Sequence, residues 1–111
     1  MNITIQSLNF KAGNNLESFI TEKVSKLFKQ SDYIMRAEVT LRQGDSGNPN
    51  NKLCEIRLMI PGNDHFVSKS TDLYEKSVLA SVRTLQKMLN RSKPAKMLQR
   101  VKNRFYKVFS K

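Results

Sequence analysis

Lys76, Arg83, Lys87 and Arg91 follow one another at steps of 7, 4 and 4 residues. On an α-helix, with 3.6 residues per turn, those steps bring four cations onto one face. Tyr74, Val78, Val82, Leu85 and Leu89 fall on nearly the opposite face, about 180° away. One side of this helix suits a core and the other reads as a cationic rail. The chemistry open to such a rail is neutralisation of a polyanion, most commonly nucleic-acid phosphate. The whole chain supports that reading, with 20 Lys/Arg against 9 Asp/Glu and a formal charge of +11 in 111 residues. The excess is unevenly spread. Residues 1–91 hold 13 basic and 9 acidic side chains, whereas residues 92–111 hold 7 basic ones and no acid. A basic run alone is usually a solvated face or a loose tail; the preceding rail is what argues for a ligand.

The residues that could catalyse a reaction are poorly placed for it. Hydrolysis or group transfer needs a positioned base with a nucleophile or a metal. Cys54 falls on the inward side of a predicted strand, where a small buried thiol is the simplest reading. His65 follows a turn, and there is no second His to complete a metal pair. Glu38 and Glu55 lie on wet strand faces, where Arg36 or Arg57 can pair with them across a sheet. Gly44 and Gly47 sit in a polar hairpin and precede no helix, so they do not form a phosphate loop. The expectation is a protein that is not an enzyme and uses no metal, cofactor or small-molecule substrate.

The elements that must hold the rail can be read from periodicity. Ile3, Ile5, Leu8 and Phe10 give an approximately alternating first strand. Asn14 is a candidate cap, with Glu17 as its capping-box partner, for a helix that ends near Gln30. Leu16, Phe19, Ile20, Val24, Leu27 and Phe28 form its apolar stripe. Ala37, Val39 and Leu41 alternate with Arg36, Glu38, Thr40 and Arg42, which predicts a strand wet on one face. Residues 44–51 have no large apolar member and predict a mobile hairpin loop. Cys54, Ile56, Leu58 and Ile60 mark the next strand, Pro61-Gly62-Asn63-Asp64 a tight turn, and residues 65–70 a short last strand. Asp72 with Glu75 is expected to cap the second helix, which runs to about residue 92 before Pro94. The order is β-α-β-β-β-α, an α+β domain: a four-stranded sheet covered on one face by two helices.

The first helix adds Lys26 and Lys29 to the outer surface, with Lys23 at the edge of its apolar stripe. Two such helices on one sheet face would make a single basic surface with a groove between them. That geometry suits a folded RNA better than a DNA major groove. Few Asn or Gln side chains flank the rail, so shape and backbone recognition are expected rather than base reading. Lys93, Lys96 and Arg100 extend the candidate set into the C-terminal segment. There Met97, Leu98, Val101, Phe105, Val108 and Phe109 share one helical face. Three roles are open for this segment: docking on its own domain, folding on RNA, or lying on a membrane surface. No apolar run approaches the roughly 18 residues of a membrane span. The opening residues do not read as a secretory signal, and a single Cys fits a reducing cytoplasm.

The topology, the opening Met-Asn-Ile-Thr-Ile, the strand Lys52-Leu-Cys-Glu-Ile-Arg-Leu before Pro61-Gly-Asn-Asp, and Asp72-Leu-Tyr-Glu heading a basic helix resemble the ribosome hibernation promoting factors. That family includes the ribosome-associated translation inhibitors, and the likeness is to its short form. It covers about residues 1–92, a ribosome-binding domain, and leaves residues 93–111 as a basic extension. It implies a fold similar to a double-stranded-RNA-binding domain and a bacterial, cytoplasmic, stationary-phase protein. The implied partners are the small ribosomal subunit with its 16S ribosomal RNA, and whole ribosomes, singly or in pairs. Members sit in the channel used by messenger and transfer RNA, stop translation and stabilise the idle ribosome. The positions matching their basic faces are Lys23, Lys26, Lys29, Lys76, Arg83, Lys87 and Arg91. The chain is too short for the second domain of one branch, and its tail is basic where another branch has an acidic one. Some members have been described as sigma-factor modulators, so the alternative is a regulator acting through protein or free RNA.

Overall fold

The computed structural model describes residues 2–8 and 10–91. Six elements follow in the expected order: β1 (Ile3–Leu8), α1 (Asn14–Gln30), β2 (Arg36–Gln43), β3 (Lys52–Met59), β4 (His65–Thr71) and α2 (Tyr74–Arg91). They form one mixed sheet in the order β1-β2-β3-β4. β1 and β2 are parallel and joined through α1; the other pairs are antiparallel. Both helices pack on the same face of this sheet, α2 over β3 and β4 and against α1.

Side-chain alternation explains why only one face is covered. Register places Ile3 and Ile5 of β1 beside Ala37 and Val39, and these beside Leu58 and Ile56. Ile56 and Leu58 in turn lie beside Val67 and His65 of β4. Together with Leu41 and Cys54 they form the sheet side of the core, closed by Ile20, Val24 and Leu27 of α1 and Val78, Val82, Leu85 and Leu89 of α2. The alternate residues Glu38, Thr40, Glu55, Arg57, Phe66 and Ser68 stand on the open face. The turn before β4 needs its glycine. Asn63 N–H donates to the Ile60 carbonyl at 3.2 Å, and Gly62 takes φ +92° behind Pro61, a type II turn whose third position requires positive φ.

Two local expectations are corrected, and the expected hairpin loop shows its internal bonding. Asn14 is the first residue of α1; the cap is Gly13, with no side-chain cap, and its carbonyl accepts from Glu17 N–H at 3.1 Å. Asp72 pairs with Lys76 at 3.2 Å, and the start of α2 is tied instead through Ser77. That hydroxyl donates to the Lys52 carbonyl at 2.5 Å and accepts from Thr71 N–H at 3.1 Å. The hairpin of residues 44–51 is knitted by its own polar groups: Gly47 N–H donates to the Asp45 carboxylate at 3.0 Å, and the buried Asn51 amide to the Asp45 carbonyl at 3.0 Å. Asp and Asn favour such local bonds over strand pairing.

Candidate nucleic-acid interface

α2 presents its rail because its other side fits the sheet closely. Val78, Leu85 and Leu89 are wholly buried, and so are Ser77 and Ser81. Two serines in the contact stripe let the backbone approach β3; Ser77 gives its hydroxyl to the Lys52 carbonyl of that strand, and Ser81 donates to the Ser77 carbonyl at 2.8 Å. Cys54 lies beneath them. Burial pushes its thiol up to about 11, and a hydrogen bond with Ser81 only partly offsets this. A thiol so held is protonated at neutral pH and is a poor nucleophile. His65 is also buried. Among the described residues, no group of three or more His, Cys, Asp or Glu is placed to hold a metal ion.

With the core faces fixed, Lys26 and Lys29 of α1 and Lys76, Arg83, Lys87 and Arg91 of α2 are all exposed. Lys23 is half-buried, 3.6 Å from Glu22 and 5.4 Å above the Phe19 ring. The two helices run in the same direction, both opposite to the strands β1, β2 and β4 that they follow or flank. Their C-terminal ends are joined by Gln30, whose amide donates to the Gln86 carbonyl at 3.1 Å and to the Asn90 side chain at 3.0 Å. This contact locates the seam between the helices. At about 100° per residue, Lys23 and Lys26 lie about 20° and 40° around α1 from Gln30, and Arg83 about 20° around α2 from Asn90. Those three cations flank the seam. Lys29, Lys87 and Arg91 stand further out on either shoulder.

The charge is graded along the helices. Lys76, in the first turn of α2, is paired with Asp72, and Lys23, at the middle of α1, with Glu22. Beyond these, neither helix contains another acid. Lys26, Lys29, Arg83, Lys87 and Arg91 make no ion pair among the described residues. Lys29 and Arg91 also sit in the last turns, where a cation offsets the helix macrodipole. Five free cations on two parallel helices can meet phosphates along a curved strand or duplex. Lys93, Lys96 and Arg100 lie outside the described residues.

The opposite face uses similar residues differently. Arg36 pairs with Glu38 at 3.0 Å and Arg42 with Glu55 at 3.4 Å. Arg36 is an expected partner, but it reaches Glu38 along β2 rather than across the sheet; Arg42 takes Glu55, and Arg57 turns to the Phe66 ring, 5.8 Å from its centroid. Sequence reasoning also missed the Gln30–Asn90 bridge. The signal for it was present, a Gln and an Asn four residues apart beside the rail, but their partner lies 56 to 60 residues away.

Residues 3–97 match the family described as sigma 54 modulation protein / S30EA ribosomal protein. The chain belongs to that family. It is the family of ribosome hibernation promoting factors that the sequence resembles. Among solved structures, the N-terminal domain of Protein Y from Thermus thermophilus superposes with a TM-score of 0.69 at 21% identity, over 82% of this chain and 98% of that one. A ribosomal subunit interface protein from Coxiella burnetii gives 0.72 at 16% identity, over 82% and 96%. At these identities the likeness is one of fold, and the S30EA fold is thereby the fold of this chain. No curated protein matches the sequence.

Proposed function

We propose that this protein is a non-catalytic hibernation factor of the bacterial cytoplasm. In this reading it binds the small ribosomal subunit, lays its two-helix face on 16S ribosomal RNA in the messenger- and transfer-RNA channel, and stops translation by occupying that channel. The observation that carries the proposal is the basic surface formed by Lys26, Lys29, Arg83, Lys87 and Arg91, none of which makes an ion pair among the described residues, with Lys23 at the seam. It suits RNA because two parallel helices present cations over a broad face, which reads phosphate position and helix shape rather than base edges. Family membership supports the ribosome as the source of that RNA. The C-terminal extension, residues 93–111, belongs to the same ribosome-binding function and brings Lys93, Lys96 and Arg100 to it.

The test is sedimentation. The protein should co-migrate with small subunits or whole ribosomes at moderate salt and be released as salt rises, since phosphate contacts expel counterions. A protein that remains at the top of the gradient at moderate salt would instead be a regulator of the sigma-factor-modulating kind, acting away from the ribosome.

A further inference from the structure

On the open face of the sheet, Glu38, Thr40, Glu55, Arg57 and Phe66 line a shallow depression of about 160 Å³. Register makes it a continuous patch: Glu38 lies beside Arg57 and Arg57 beside Phe66, while Thr40 lies beside Glu55 and Glu55 beside Ser68. Phe66 is 46% exposed. Glu38 and Glu55 are each neutralised by an arginine at the rim, Arg36 and Arg42. Arg57 makes no ion pair among the described residues, so the patch is left with a single uncompensated positive charge beside an exposed ring.

We propose that this depression binds one unstacked nucleotide of single-stranded RNA, with guanine as the preferred base. The assignment rests on the RNA-binding reading above and adds a second contact, on the face away from the helices. Each part of a nucleotide meets a matching group. Phe66 offers a π-face on which a base stacks, as aromatic side chains on open sheets do for single strands. Arg57 supplies the one charge that one phosphodiester requires. An ionised carboxylate has about four lone-pair sites, so Glu38, approached by Arg36 at a single oxygen, keeps acceptor capacity. Guanine presents two adjacent N–H groups to such a carboxylate, whereas uracil presents one. Thr40 and Ser68 supply neutral polar contacts around the base.

Clefts that enclose a whole drug-sized ligand, a nucleotide included, measure about 300–1,000 Å³; this depression of about 160 Å³ takes the base alone and leaves ribose and phosphate outside it. A protein-docking patch would expose contiguous apolar surface. Among the described residues the exposed large hydrophobics are Met35, Phe66 and Leu73, and only Phe66 lies in this patch.

The experiment uses the full-length chain carrying Arg83→Glu and Lys87→Glu, which weakens the helix face, labelled for NMR and titrated with GMP, UMP and inorganic phosphate. GMP should shift the Phe66 ring, Arg57 and Glu38 signals saturably, with an affinity at least about fivefold above UMP, the low end for a bidentate base contact. Phe66→Ala should weaken GMP binding about tenfold, a typical value for one lost base stack. Glu38→Gln should lower the preference for GMP while leaving stacking on Phe66 in place, so the two variants report different contacts. Absence of shifts on the sheet overturns the proposal. Equal shifts with GMP, UMP and phosphate overturn it too, leaving Arg57 as a plain anion contact. Sedimentation of the unmodified protein tests the helix face separately, so failure of one reading is distinguishable from failure of the other.

Discussion

The two faces of this domain carry the same kinds of cation and dispose of them in opposite ways. On the sheet, Arg36 and Arg42 each find a glutamate within 3.4 Å. On the helices, Lys26, Lys29, Arg83, Lys87 and Arg91 find none among the described residues. The difference comes from geometry. In a sheet, alternation brings residues of adjacent strands within reach, so Glu and Arg on one wet face meet across or along the strands. On a helix, partners must lie three or four residues apart, and α2 has no acid after Glu75. Charge left unpaired on a rigid, parallel pair of helices is available to a partner; charge paired on the sheet largely is not.

The most damaging way to break this comparison is to remove the platform. Leu85 is wholly buried and holds α2 to the sheet beneath the rail. Leu85→Ala should cost about 2–5 kcal/mol of stability, measured by denaturant unfolding, and both faces should lose their function together. Phe19, expected from the sequence to lie between helix and sheet, is only half-buried beneath Lys23. Phe19→Ala should therefore cost clearly less than Leu85→Ala. Equal losses would mean that the α1 edge is packed as tightly as the α2 centre.

Reversing the rail comes next. Arg83→Glu with Lys87→Glu leaves the core stripe untouched, so melting should change little. Ribosome affinity should fall at least about a hundredfold, since two lost charge-assisted contacts at about 1.5–3 kcal/mol each sum to about 3–6 kcal/mol. The salt dependence should flatten by about 0.9 in log–log slope per lost phosphate contact, a figure from B-form DNA. Unchanged affinity with an unchanged slope would remove the rail from the interface and erase the distinction between the faces.

What the sequence made legible follows from this contrast. Local periodicity was enough for all six elements, for the inward stripe of α2 and for the rail, because each depends on residues within a few positions. Ser77 and Ser81 were not legible as core, since polarity hides their fit against β3. The caps were misread because Asn14 and Asp72 are good cap residues whose roles went to a backbone carbonyl at Gly13 and to the Ser77 network. The Arg57–Phe66 contact and the Gln30 bridge depend on strand register and helix pairing, which join residues far apart in the chain. Composition marks 44–51 as a loop and does not reveal that the Asn51 amide donates to the Asp45 carbonyl.

Deleting residues 95–111 sharpens the comparison on the helix side. The deletion removes six of the 20 basic residues and no acid. An isolated helix of about 14 residues is marginal in water, so an amphipathic segment of this length needs a surface. If the ribosome supplies it, the free truncated protein should melt as before and bind ribosomes several-fold more weakly with a shallower salt slope. Normal binding with a much lower melting temperature would place that surface on the domain itself.

The smallest effect is expected on the sheet. Arg42→Ala removes a cation whose side chain is 48% exposed and whose partner Glu55 is 25% exposed. An exposed pair of this kind contributes about 0–1 kcal/mol, so thermal stability should scarcely move. The substitution leaves Glu55 unpaired and adds one negative charge to the open face. The helix face is on the far side of the core, beyond the roughly 8 Å over which charges are felt at physiological salt. Ribosome affinity should therefore change by less than about twofold, with the salt slope intact. A loss as large as that of the rail reversal would mean that phosphates also approach Arg42, and that its pairing with Glu55 gives way when RNA is present. The contrast between a paired and a free cationic face would then describe the isolated protein only, not the complex.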